Sequence, residues 1–159
     1  MKHFLTIALL LAALSASRAQ NCNIVMIDDY CTMIDDDFAR YELRKHQSYD
    51  SVLSVLKHLK VKRDSVSILY LANCKDMMRF YVFNFTDSLL TSVFIEQPTG
   101  KRKKDLDGFF YVAIEDVKTY YVRDIKYVND DGAAIFDNDC YTIQVSKAKK
   151  AIETTIIMK

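Results

Sequence analysis

Four cysteines, Cys22, Cys31, Cys74 and Cys140, are the residues of this 159-residue chain best suited to covalent chemistry. None stands in a Cys-x-x-Cys pair, and the histidines are His3, His46 and His58. A zinc site needs Cys and His ligands at short, converging spacings, so the chemistry predicted by the even count is oxidation to two disulfides. Three pairings are open, and the spacing does not choose among them. Asp35-Asp36-Asp37 is a dense run of carboxylates, but consecutive side chains point in different directions while a hard cation needs oxygens that converge. It reads as the start of a helix, with Arg44-Lys45 at the far end where the dipole favours base. Asn129-Asp130-Asp131-Gly132 grazes a calcium loop, yet Tyr127 stands where the first aspartate belongs and Asn138 where the bidentate glutamate belongs. It reads as a hairpin turn. There is no Gly-x-Ser-x-Gly, His-Glu-x-x-His or phosphate loop, so the expectation is a non-enzymatic protein without metal or cofactor.

Export is the next inference. Lys2 and His3 precede an apolar run over residues 4–16, and Ser17-Arg18-Ala19 offers small residues where a signal peptidase reads. The run is shorter than the roughly 20 residues of a membrane span. Residues 1–19 are therefore expected to be a signal peptide and 20–159 a single secreted, extracellular domain with no membrane span. Removing Lys2 and Arg18 takes the formal charge from +1 to −1, which argues against nucleic acid as a partner. Lys101-Arg102-Lys103-Lys104 follows the turn signal Gln97-Pro98-Thr99-Gly100 and is expected at an exposed hairpin tip, where it could meet a polyanion. Asn84-Phe85-Thr86 is a glycosylation sequon. Glycosylated, Asn84 would face solvent and turn Tyr81, Phe83 and Phe85 inward.

The elements that must position these groups change character near Lys60. Half the residues are apolar, with three Gly and one Pro, so the chain has core material and few breakers. A short helix is expected from the three aspartates through Phe38 and Tyr41. A second has Ser48 as its cap and Tyr49, Val52, Leu53, Leu56 and Leu59 on one stripe, leaving His58 in solvent. Strands are then expected over 66–73, 78–85, 89–96, 109–115, 119–128, 133–136, 141–146 and 152–158. In 109–115 the even positions Phe110, Val112 and Ile114 read as core, while Phe109, Tyr111, Ala113 and Glu115 form a mixed aromatic and acidic face. A sheet apolar on both faces must close round an interior or pack against a second layer.

With its export signal, N-terminal helical stretch, meander of about eight strands, two cysteine pairs and the strand Asp139-Cys140-Tyr141-Thr142-Ile143, the chain resembles the secreted lipocalins, notably the salivary kind of blood-feeding arthropods. The family's Gly-x-Trp has no counterpart, since the chain has no Trp. The resemblance implies a mainly β fold: an antiparallel meander of seven or eight strands closed as a lipocalin-like barrel, preceded by one or two short helices. The alternative is a half-open α+β sheet packed on helices, as in cystatin-like folds. It further implies a carrier or scavenger of a small hydrophobic or amine ligand, with Tyr70, Tyr81, Tyr111, Glu115 and Tyr121 as ligand-binding residues and Glu115 meeting a cationic head. The alternative function is a secreted protein-interaction module, an inhibitor or immune modulator acting through its outer surface.

Overall fold

The computed structural model describes residues 23–34, 37–74, 77–99, 106–120, 127–129 and 132–159, with side chains described over 41–72, 78–99, 106–119 and 132–159. The chain runs β1 (Asn23–Ile34), β2 (Asp37–Arg44), α1 (Tyr49–Val55), β3 (Val61–Arg63), β4 (Ser67–Cys74), β5 (Met77–Thr86) and β6 (Leu89–Pro98). It continues through α2 (Leu106–Tyr120), β7 (Tyr127–Asn129), β8 (Ala133–Asp137), β9 (Tyr141–Lys147) and β10 (Ala151–Met158). β1 and β2 form an antiparallel hairpin, and the other eight strands form one sheet in the order β3-β4-β5-β6-β10-β9-β8-β7, antiparallel at every pairing. Two meanders thus join where β6 meets β10, and α2 carries the chain from one to the other. β3 and β7 are the sheet's two ends, so hydrogen bonding among the described residues does not close it. The expected mainly β, antiparallel architecture is present.

Period-two alternation decides which side of the sheet is buried. Ile68, Tyr70 and Ala72 of β4 are buried while Leu69 and Leu71 between them are exposed, and Tyr81, Phe83 and Phe85 do the same in β5. The register then aligns Ile68, Phe83, Val93, Ile156, Ile143 and Phe136 in one row across six strands, every member fully buried. Over this face lie Leu43 of β2, Val52 of α1 with its C-cap Leu56, and Ala113 and Val117 of α2. α1 starts at Ser48, whose Oγ accepts from Ser51 N, and its Tyr49 ring meets Phe85 edge-on at 4.8 Å. α2 is held by Lys147, which donates to Asp107 at 2.6 Å and lies 4.7 Å from the Phe110 ring, and by Arg79, 3.5 Å from Asp116.

Two expected elements are replaced. Residues from Asp37 onward form β2, not a helix, because Tyr41 and Leu43 point to the core on alternate positions and β1 supplies the partner strand; Asp35 and Asp36 lie outside the described residues. Residues 109–115 belong to α2, not to a strand. Leu106, Phe109, Phe110, Ala113, Ile114 and Val117 fall at three- and four-residue spacings and pack on the core, whereas adjacent Tyr111 and Val112 are both exposed, which a half-buried strand does not allow. Of the expected strand 119–128, residues 119 and 120 belong to α2, 127 and 128 to β7, and 121–126 lie outside the described residues. The basic run Lys101-Arg102-Lys103-Lys104, expected at a hairpin tip, lies outside the described residues, between β6 and α2.

The second expected helix, α1, and the remaining strands stand where alternation places them. β7 and β8 pair through Asn129 and Ala133, with Gly132 at φ 78°, the left-handed conformation that the turn requires.

Candidate ligand groove

On the face away from the helices, β4 and β5 present Leu69, Leu71, Phe80 and Val82. The register places Lys62, Leu69, Val82 and Phe94 in one row and Leu71 beside Phe80 in the next. Leu69 and Leu71 keep 41% and 45% of their surface in solvent, a large apolar exposure for neighbouring rows. A groove of about 430 Å³ runs over them, lined by Lys60, Lys62, Leu69, Tyr70, Leu71, Phe80, Tyr81 and Val82. Apolar side chains make its floor, and Lys62 of the next strand outward, β3, with Lys60 just before that strand, lines its rim. Lysine belongs there for a structural reason as well, because charge on a short edge strand discourages pairing with another chain.

Lys60 also borders a second groove of about 690 Å³ between α1 and β3, with Lys57 and Arg63 among its walls and Asp50 as the acidic member. Lys57, His58, Lys60, Lys62 and Arg63 are all exposed within seven residues. Their density within the sequence is the signal for this rim. At the turn from β3 to β4, Asp64 Oδ1 accepts from Val66 N at 2.8 Å and Ser67 N at 2.7 Å, and Oδ2 accepts from Ser67 Oγ at 2.9 Å. These hydrogen bonds, that from Val66 first, hold its carboxyl below the ordinary aspartate value.

The residues expected to bind ligand do not converge. Tyr70 and Tyr81 are register partners with rings stacked at 5.8 Å, and Phe83 continues the stack at 6.3 Å. Both tyrosines are buried among the core side chains. Tyr111 projects from α2 with 64% of its surface exposed, and Glu115 accepts from Lys118 at 2.6 Å. Both stand on α2, where a strand was expected. Tyr121 lies outside the described residues. Asn84 is half-buried on the face opposite Phe83 and Phe85, and its Nδ2 donates to Ser92 Oγ at 3.1 Å. Cys140 is buried just before β9. Cys22 lies outside the described residues, and Cys31 and Cys74 are described in backbone only.

Among the described residues no three His, Cys, Asp or Glu gather as metal ligands, and no helix is long and apolar enough to cross a membrane. No protein-family model, curated protein or solved structure matches the chain. The class defined by its own geometry is an antiparallel sheet with helices on one face and a lysine-rimmed apolar groove on the other.

Proposed function

We propose that the chain is a secreted, non-enzymatic binding protein that holds a small amphipathic ligand, apolar in its body and anionic at its head, in the groove over β4 and β5. The observation that carries this reading is the juxtaposition of Leu69, Leu71, Phe80 and Val82 with Lys60 and Lys62 around about 430 Å³, a volume in the range of small-molecule sites. The carrier class implied by the lipocalin resemblance is kept. The ligand moves from a barrel interior to the sheet's outer face, since the opposite face is occupied by its own side chains and the helices. A cationic amine is disfavoured here, because the charged side chains lining the groove among the described residues are both lysines.

The test is fluorescence titration with cis-parinaric acid, its methyl ester and an alkylamine of matched chain length. The acid should bind most tightly and the amine least. Exposed charge pairs contribute about 0.2 to 1 kcal/mol each, so reversing both lysines, Lys60→Glu with Lys62→Glu, should weaken the acid about tenfold and leave the ester unchanged. Leu71→Asp should weaken both. Equal affinity for acid and amine would refute the assignment of the anionic head. Absence of binding by all three probes would return the function to an outer surface that meets other proteins.

A further inference from the structure

The topology orders the four cysteines along the sheet and separates the three pairings left open by the sequence. Thr142, Ile157, Ser92, Asn84 and Ser67 form one row of register partners across β9, β10, β6, β5 and β4. β9 and β4 run in the same direction, being four antiparallel steps apart. Cys140 lies two residues before this row and Cys74 seven residues after it, an offset of about 30 Å at roughly 3.3 Å per residue. Disulfide Cα atoms stand about 4.4 to 6.8 Å apart. Cys74 and Cys140 therefore cannot pair, and with them falls the pairing that joins Cys22 to Cys31.

The N-terminal hairpin chooses between the two pairings that remain. Its open end, where Asn23 pairs with Arg44, is tied to the Cys140 end of the sheet: Gln47 N donates to Arg44 O at 3.2 Å, and Leu90 N, before Ser92 in β6, donates to Gln47 O at 2.9 Å. At that same end Lys159 N donates to Cys140 O at 3.0 Å. From there β1 runs beside β4. The edge of β4 is paired with β3 only from Ile68 to Tyr70, so among the described residues β3 does not pair with the stretch that ends at Cys74. The register between β1 and β2 skips from Asp29 to Met33, and Cys31 stands inside this bulge, released from β2.

We propose that Cys31 is bonded to Cys74 and Cys22, one residue before Asn23, to Cys140. One bridge then fastens the bulge of β1 to the end of β4, next to the groove. The other fastens the start of the hairpin to β9, on the far side of the junction between the two meanders. Between them they bind the N-terminal hairpin to both halves of the sheet.

The full chain, secreted from a eukaryotic host, is denatured with an alkylating agent and no reductant, digested with Asp-N and mapped by mass spectrometry. Asp28 and Asp29 separate Cys22 from Cys31, so every pairing yields distinct linked peptides. Linked peptides joining Cys31 to Cys74 and Cys22 to Cys140 are expected, each collapsing to two masses on reduction. Any other linkage, or alkylated thiols at any of the four positions, would overturn the proposal.

Discussion

Replacing Tyr111 and Val112 one at a time by alanine discriminates the helix from the strand that the same residues could have formed. In a strand packed on one face, one of two neighbours must be buried. In α2 both point away from the core, with 64% and 50% of their surfaces exposed, while Val117, five positions beyond Val112, is 3% exposed. The covered third of Tyr111 is about 70 Å² of the roughly 200 Å² that such a side chain can bury, worth at most about 1.8 kcal/mol at ~25 cal/mol/Å². Alanine's better helix propensity returns about 0.5 kcal/mol, so the net loss for Tyr111→Ala should be near 1 kcal/mol. Val112→Ala removes two half-covered methyl groups, about 0.8 kcal/mol, and the same propensity term brings it close to zero. Val117→Ala removes two fully covered groups, about 1.6 kcal/mol, and leaves a void, for a loss of about 2 kcal/mol. Urea melts at pH 7 read the three values directly. A buried tyrosine truncated to alanine costs about 3 to 5 kcal/mol, a large share of the roughly 5 to 15 kcal/mol that holds a domain together. If Tyr111→Ala or Val112→Ala is more damaging than Val117→Ala, the facing of α2 is wrong.

Asp64 should make stability depend on acid pH. Its folded carboxyl titrates below the unfolded value of about 3.8, so its contribution is complete above that value and fades as pH falls through the lower, folded one. Asp64→Ala should lower the urea midpoint at pH 7 and flatten its change below pH 4; an unchanged acid limb would show that the hydrogen bonds to Val66 and Ser67 contribute nothing. In the turn from β5 to β6, Asp87 and Ser88 both hold positive φ, 51° and 63°, the backbone of a hairpin turn that favours glycine at its second position. Ser88→Gly should therefore raise stability by about 0.5 kcal/mol, the relief of left-handed strain less the added freedom of the unfolded chain. A lower melting midpoint would count against that turn geometry.

Where burial repeats every second residue and partners are close in sequence, the elements were legible from the residues. Ile68, Tyr70 and Ala72 alternate with Leu69 and Leu71, and Tyr81, Phe83 and Phe85 alternate with Val82 and Asn84, so β4 and β5 follow from pattern alone. α1 was equally readable from Ser48 and the stripe Val52, Leu53 and Leu56. Two segments were not. Phe109-Phe110-Tyr111-Val112-Ala113-Ile114 is apolar at every position, so it satisfies both periods, and the three- and four-residue spacing shows only when Leu106 and Val117 are included. Phe38 and Tyr41 suit a helix until β1 pairs with them, and that partner lies outside any local window.

The groove depended on still longer-range information. Lys60 and Lys62 become its rim because β3 lies along β4, and Leu71 meets Phe80 because the hairpin register sets them opposite each other. Local residue chemistry determined by itself that this chain would build an antiparallel sheet with an apolar core, since alternation and β-branched and aromatic side chains act within a few residues. Only the tertiary structure decided which face the helices cover, which apolar residues remain in solvent and that Cys74 and Cys140 stand at opposite ends of the sheet. Those outcomes depend on strand order and register, and both are set by contacts between residues far apart in the chain.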